Sequence, residues 1–443
     1  MRPFLLCVFS VCVLRAQEAP SEFFSVPKAD APQLAAEGNY AVGVRTLDLV
    51  HRGQIDILNV NKDTGKAPQY DRPMKVEVWY PATLAAGQEQ RVIYPSAMPG
   101  VEPRTLGPKG FDILGKAARD AAPVKGQRFP LVIVSHGYPG SRYFLTYLTE
   151  NLASKGYVVA AIDHTDSVFG EVRGFASTLL NRSNDQLFVL ASLQQLAKSP
   201  GNWASGLIEE NNAAIAGYSM GGYGALISAG AGLSATSPLN KFVPGGYLAD
   251  WNHGNEKYNA LERESLKAIV AIAPWGEQPP YNAWDAESLA GIRIPALFIV
   301  GDHDDVAGYE DGPKRAMELA VNSDRCLLVY ENARHNTGGN PPPPNVILDF
   351  KARQSFDEPV WRKDRITAIN QHFITAFLDL YLKGDQTRRA FLHVPVAHSN
   401  DGKWPIAPGA DDGGAFSTGE NFWPGFQRRW ALGLEMSCYA PGP

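Results

Sequence analysis

The sequence predicts an α/β fold: one mostly parallel central sheet with helices on both faces. Three observations carry that reading. Short apolar runs alternate along the chain with segments of helical spacing. Several of these runs, such as Leu131 to Val134 and Ala296 to Val300, are apolar at every position, as strands buried on both faces must be. The run Ala213 to Tyr218 meets a corner containing Gly221, Gly222 and Gly224 before helical spacing resumes, so Ser219 lies on a strand-to-helix turn.

Taken in order, Val42 to Leu49 and Met74 to Tyr80 alternate in hydrophobicity and predict antiparallel entry strands. Pro95 to Gly126, rich in Pro, Gly and basic residues, predicts a long surface excursion. Leu131 to Val134, a helix over Arg142 to Ser154 and the strand Tyr157 to Ile162 form a βαβ unit. The pattern continues with a helix over Gln186 to Ala197, the strand leading to Ser219 and its helix, and the strands Ala268 to Ala273 and Ala296 to Val300. A helix over Lys314 to Val321, the strand Leu327 to Tyr330 and a long helix over Arg365 to Leu382 complete it. Three segments fall outside the repeat: Leu233 to Leu266, Gly338 to Asp364, and an aromatic tail beyond Ala390. Each is expected to form a lid or a rim.

The 443 residues are 44% hydrophobic and 20% charged, enough apolar material for a large core. A net charge of −5 without a basic tract argues against a nucleic-acid or anionic-membrane partner. Arg2 precedes the apolar run Phe4 to Leu14, which turns polar at Arg15. This predicts a signal peptide over residues 1–16, too short to span a bilayer, ahead of a single domain over residues 17–443 in a secreted or periplasmic protein. No comparably long apolar run recurs, so no integral membrane span is expected. Cys7 and Cys12 fall in the leader, leaving Cys326 and Cys438 as either one disulfide or two buried thiols.

The pentapeptide Gly217-Tyr218-Ser219-Met220-Gly221 is a G-x-S-x-G nucleophile elbow, in which small neighbours relieve crowding around a strained serine. A serine hydroxyl is a poor nucleophile at neutral pH; it needs a base, and the base needs an orienting acid. With this elbow the chain order is Ser, acid, His. The turn after Val300 offers Asp302, Asp304 and Asp305, and the residues alone leave the choice among them open. His335, in the loop after Tyr330, is the histidine in the right order, whereas His136 is expected to anchor its turn by hydrogen bonds. Backbone donors for a developing oxyanion are expected at Met220, which follows the nucleophile, and at Tyr138, in the loop after an earlier strand. The sequence holds no metal-ligand cluster, P-loop or G-x-G-x-x-G after a strand, so no metal or other cofactor is expected.

Several stretches carry a resemblance in order: Val76 to Pro81, SHGYPGSR from Ser135, LASKGYVVAAIDHTDS from Leu152, GYSMGG from Gly217, and Leu382 to Asp385. Together they resemble bacterial serine hydrolases grouped with platelet-activating-factor acetylhydrolase and called dienelactone-hydrolase-like, over about Tyr40 to Gly384. That resemblance implies an α/β-hydrolase fold, in which the segments outside the repeat are expected to be lid-like insertions at about 233–266 and 338–364 and a C-terminal extension over about 390–443. Two departures stand out. Ala273-Pro274-Trp275 occupies the place where the acetylhydrolases carry their acid, and the elbow holds Ser where true dienelactone hydrolases use Cys. The acid must then come from the turn after Gly301, and the family spacing selects Asp304. The Ala273-Pro274-Trp275 stretch, Asp304 to Ala307, and the pair Tyr138 and Met220 also resemble bacterial cutinase-like polyester hydrolases, which implies an open aromatic cleft. Trp275 is expected at the rim beside Ser219, facing Tyr138 across bound substrate.

These readings converge on a cofactor-free serine ester hydrolase acting on a small-molecule, lipid or polymer ester. A peptidase or amidase would use the same residues. A binding protein that kept the fold without an activated serine is the rival from another class.

Overall fold

The apolar runs assemble side by side into a large mixed sheet. In chain order its main strands are β1 (Ala41–Ile55), β2 (Gln69–Thr83), β3 (Phe129–Ser135), β4 (Val158–Asp163), β5 (Ile208–Tyr218), β6 (Leu266–Ile272), β7 (Ala296–Gly301), β8 (Arg325–Tyr330) and β9 (Leu434–Tyr439). In space they run β9-β8-β7-β6-β5-β3-β4-β2-β1. Every pairing from β4 across to β8 is parallel, while β1, β2 and β9 join antiparallel. The computed structural model describes residues 22–97, 110–346, 349–403, 416 and 422–442; the expected signal peptide, with Cys7 and Cys12, lies outside them.

Each central strand feeds two cores because successive side chains point to opposite faces. Val132 and Val134 join the core on one face, Leu131 and Ile133 the core on the other, and all of β3 is buried. Helices α1 (Thr146–Ser154) and α4 (Lys363–Leu382) cover the first face, and α2 (Phe175–Lys198) and α3 (Met220–Ser228) the second.

Four expectations need correction. The excursion over Pro95 to Gly126 is partly structured: Val92–Ala97 pairs antiparallel with Gly110–Gly115, and Tyr94, Phe111 and Ile113 are buried. Helix α1 starts later than Arg142, because residues 142–145 are turns. Helix α2 starts at Phe175 and not at Gln186; its first turns bury Ser177, Asn181, Arg182 and Asp185, so no apolar spacing announces them. The tail beyond Ala390 is more than a rim. It buries Phe422, Trp423 and Phe426 in the core and supplies β9, which covers the edge of β8. Cys438 on β9 faces Cys326 on β8, and the two form a disulfide.

The sheet reverses its direction of winding between β3 and β5, which lie side by side although β4 follows β3 in sequence. Gly217 pairs with Ser135 at the carboxyl ends of these strands, so the chain leaves β3 into Tyr138 and β5 into Ser219 at the same rim. Such switch points are where open α/β sheets hold their ligands.

Candidate active site

Ser219 caps α3 with φ 54° and ψ −114°, a strained conformation for a residue with a side chain. The neighbouring backbone enforces it. Ser219 N–H donates to Ile272 O at 2.8 Å, and Ser219 O accepts from Tyr223 N at 3.0 Å and Trp275 N at 3.2 Å. The flanking glycines are required by contact: a Cβ on Gly217 would stand 2.1 Å from Gly221 O, and one on Gly221 2.0 Å from Ser135 O. Local sequence therefore builds the elbow, and the adjacent strands hold it.

His335 Nε2 lies 3.0 Å from Ser219 Oγ, and its Nδ1 lies 2.8 Å from Asp304 Oδ2 and 3.0 Å from Oδ1. The bond at Nδ1 puts the proton there and leaves Nε2 to accept from the serine. Asp304 is buried, and its Oδ1 also accepts from Val306 N at 2.9 Å and Ala307 N at 2.8 Å, so the carboxylate is fixed before it meets the imidazole. Its neighbours are engaged elsewhere. Asp302 accepts from Asn332 N and His303, and Asp305 pairs with Arg334.

The histidine loop is clamped by the 338–364 segment. Glu358, 6% exposed, accepts from Arg334 N at 2.7 Å and Asn336 N at 2.6 Å, the amides on either side of His335. Lys363 donates to Asn336 O, and burial brings its pKa down to about 8 against the pull of Glu358. Tyr218 OH donates to His335 O at 3.3 Å beneath the ring. Much of this segment thus buttresses the loop from behind.

On the other side of Ser219, Gly137 packs so closely that a Cβ there would stand 3.2 Å from Ser219 Cβ. Tyr138 N–H has no acceptor among the described residues, and neither does Met220 N–H, the first of α3. His136, buried, donates through Nδ1 to Gly137 O at 2.7 Å and accepts from His164 N at 3.3 Å. Burial holds its pKa well below the ordinary value, so it is neutral.

Aromatic rings line the rim beyond. Tyr138 and Trp275 do not face each other directly, because the early start of α2 places Phe175 between them: the ring centroids are 5.0 Å apart for Tyr138 and Phe175 and 5.3 Å for Phe175 and Trp275. The row continues through Tyr281, 4.4 Å from Trp275, to Phe242, which is 50% exposed. Trp275 itself is 8% exposed. Beside His335 opens a cavity of about 680 Å³ walled by Val306, Asn336, Phe350 and Arg353. Among the described residues, no cluster of His, Cys, Asp and Glu could hold a metal ion, and no helix is long and apolar enough to cross a membrane.

Comparison with known proteins joins this geometry to a fold. A ferulic acid esterase from Streptomyces cinnamoneus superposes with a TM-score of 0.51 at 22% identity, over 80% of this chain and 94% of that one. This chain has the α/β-hydrolase fold. The family described as platelet-activating factor acetylhydrolase, isoform II matches residues 37–186, a stretch that includes Tyr138 and ends before Ser219. Cutinase est1 of Thermobifida alba is 23% identical over 215 residues, which is 48% of this chain and 55% of that relative. Cutinase 2 of Thermobifida cellulosilytica is 23% identical over 186 residues, 42% and 52% of the two chains. The chain thus spans about half the length of the curated relatives it matches.

Sequence reasoning missed Arg182, Glu358 and Phe175 in this chain. Arg182 and Asp185, three residues apart amid Ser177, Asn181 and Gln186, form a polar stripe at helical spacing, a pattern that reads as a solvated face until the helix is seen to be buried. Glu358 gave no signal, since it acts on backbone amides.

Proposed function

We propose that the chain is an exported serine ester hydrolase working through an acyl-enzyme. The observation that carries this is the continuous relay Ser219–His335–Asp304, at 3.0 and 2.8 Å, set beside two unpaired N–H groups at a strained elbow. Ser219 Oγ attacks the ester carbonyl while His335 Nε2 takes its proton, and Asp304 holds the imidazole and stabilises its charged form. The N–H groups of Tyr138 and Met220 receive the charge that develops on the carbonyl oxygen, each worth roughly 3–4 kcal/mol in the transition state. His335 returns the proton to the departing alcohol as the carbon–oxygen bond breaks. Water then repeats the sequence on the acyl-enzyme and frees the acid and Ser219.

The two sides of the serine differ in a way that orients the ester. The acyl group rests along the aromatic row of Tyr138, Phe175 and Trp275, and the alcohol leaves toward the cavity beside His335, since that residue protonates it. Esterase and cutinase relatives favour a small-molecule, lipid or polymer ester over an amide. The Cys326–Cys438 disulfide and the leader pattern of residues 1–16 support export.

Replacing Ser219 by Ala should lower ester hydrolysis by about 10⁵–10⁶, and replacing His335 by Ala similarly, because the two act as one unit. Full activity in either variant would end the reading. A fluorophosphonate probe should label Ser219, which separates an enzyme from a silent binding protein. A series of p-nitrophenyl esters from acetate to palmitate would fix the acyl preference.

A further inference from the structure

Arg182 is a buried cation without an anion. Its side chain is 1% exposed, and it forms no ion pair with a carboxylate among the described residues. Asp185, one turn along α2, is consumed by Arg72 at 2.9 and 3.0 Å and by His164 at 2.9 Å. The guanidinium instead donates to His136 O at 2.6 Å, Gly137 O at 3.3 Å and Ser167 Oγ at 2.8 Å, and Arg182 Nε has no partner among the described residues. Burial brings its pKa down to about 9 against the pull of Asp185, and burying a cation without a paired charge is costly. A fold that needed only an apolar contact at this helix position would be better served by Leu or Met.

What the cation does follows from peptide geometry. The Gly137–Tyr138 peptide is trans, since the cis bonds among the described residues lie elsewhere. In a trans peptide the C=O and the following N–H point in opposite directions. Arg182 holds Gly137 O from α2, so Tyr138 N–H faces away from α2. Arg182 lies at the same time against the elbow helix: a Cβ on Gly224 would stand 2.6 Å from its Cγ. The next turn of α2 grips the elbow as well, through Gln186 Nε2 to Gly221 O at 2.9 Å. One helix face therefore fixes both segments that carry the unpaired N–H groups.

We propose that Arg182 is the positioning residue of the oxyanion site: it locks the Gly137–Tyr138 peptide with its N–H toward the reacting carbonyl and polarises that N–H through the carbonyl it holds. A cation on Gly137 O withdraws electron density along the amide and makes Tyr138 N–H a stronger donor. His136, neutral, shares the carbonyl and sets its plane. The inference rests on the reading of Tyr138 N–H as an oxyanion donor.

The test compares an oxygen ester with its thionoester, whose developing charge sits on sulfur, a weak hydrogen-bond acceptor. In the full-length protein, Arg182→Met should lower kcat on the oxygen ester by about 10²-fold with KM changed less than about threefold. The thionoester should lose far less, so the oxygen-to-sulfur preference should fall by about tenfold or more. Arg182→Lys, which keeps the charge and can reach one carbonyl, should be intermediate in both, and it decides the matter if the Met variant does not fold by circular dichroism. Equal losses on both esters, leaving the preference at the wild-type value, would make Arg182 a packing residue and overturn the proposal. Hydrolysis surviving in Ser219→Ala would instead remove the underlying serine reading, whatever the Arg182 variants do.

Discussion

The loops on the two sides of Ser219 are fixed by buried charges of opposite sign. Glu358 takes the amide N–H groups on either side of His335, whereas Arg182 takes the carbonyls of His136 and Gly137. The difference follows what each loop must leave free. In the proposed mechanism the histidine loop works through a side chain, so its amides can be surrendered to an anion. In the same mechanism the loop at Tyr138 works through a backbone N–H, and a donor gripping the carbonyls leaves that group available. Charge-assisted bonds to backbone, worth about 1.5–3 kcal/mol each, are strong enough to hold either loop against thermal excursion.

The largest effect should come from the acid. Asp304→Ala is expected to lower kcat by roughly 10³–10⁴, because it removes the group that sets the imidazole tautomer. Asp302→Ala and Asp305→Ala should cost under about tenfold, since those carboxylates serve Asn332 N and Arg334. If Asp302→Ala proves the more damaging, His335 is oriented by Asp302 and not by Asp304.

Next comes Glu358→Gln, which leaves one of the two flanking amides facing an NH₂ group. We expect kcat lower by roughly 10–100-fold with KM nearly unchanged, as a misplaced base affects the transition state more than binding. This variant should slow oxygen esters and thionoesters equally, in contrast to Arg182→Met. A shift in the oxygen-to-sulfur preference would mean that the two clamps are not independent.

A smaller effect is expected at the aromatic row. Trp275→Ala should lower kcat/KM on bulky or aromatic esters by about 1–2 kcal/mol and leave acetate esters nearly untouched. Its melting temperature should fall too, because the ring is buried against Phe175, Tyr223 and Tyr281. Equal loss on all esters would make Trp275 packing alone. Cys438→Ser should leave kcat unchanged while lowering the melting temperature, since the bond closes residues 112 apart in sequence and the loop-entropy model allows up to about 4–5 kcal/mol. A change in the oxygen-to-sulfur preference on breaking the disulfide would tie β9 to the site.

The alternation of buried strands and helices and the elbow at Ser219 were written locally, because each rests on short-range spacing, and Ser219, an Asp and His335 could be read from their order along the chain. Three nearby carboxylates were legible as a group; that Asp304 meets His335 depends on which side chain the turn directs inward, and Val306 N and Ala307 N decide that. The clamps belong to tertiary structure altogether. Glu358 and Arg182 bind peptide groups, which every residue carries, so nothing in the sequence of the gripped loops marks them. Phe175 between Tyr138 and Trp275, and β9 on the edge of β8, are likewise products of packing. Polar residues on the buried side of α2 and a strand beyond a long proline- and glycine-rich tail acquire meaning only when distant segments close around them.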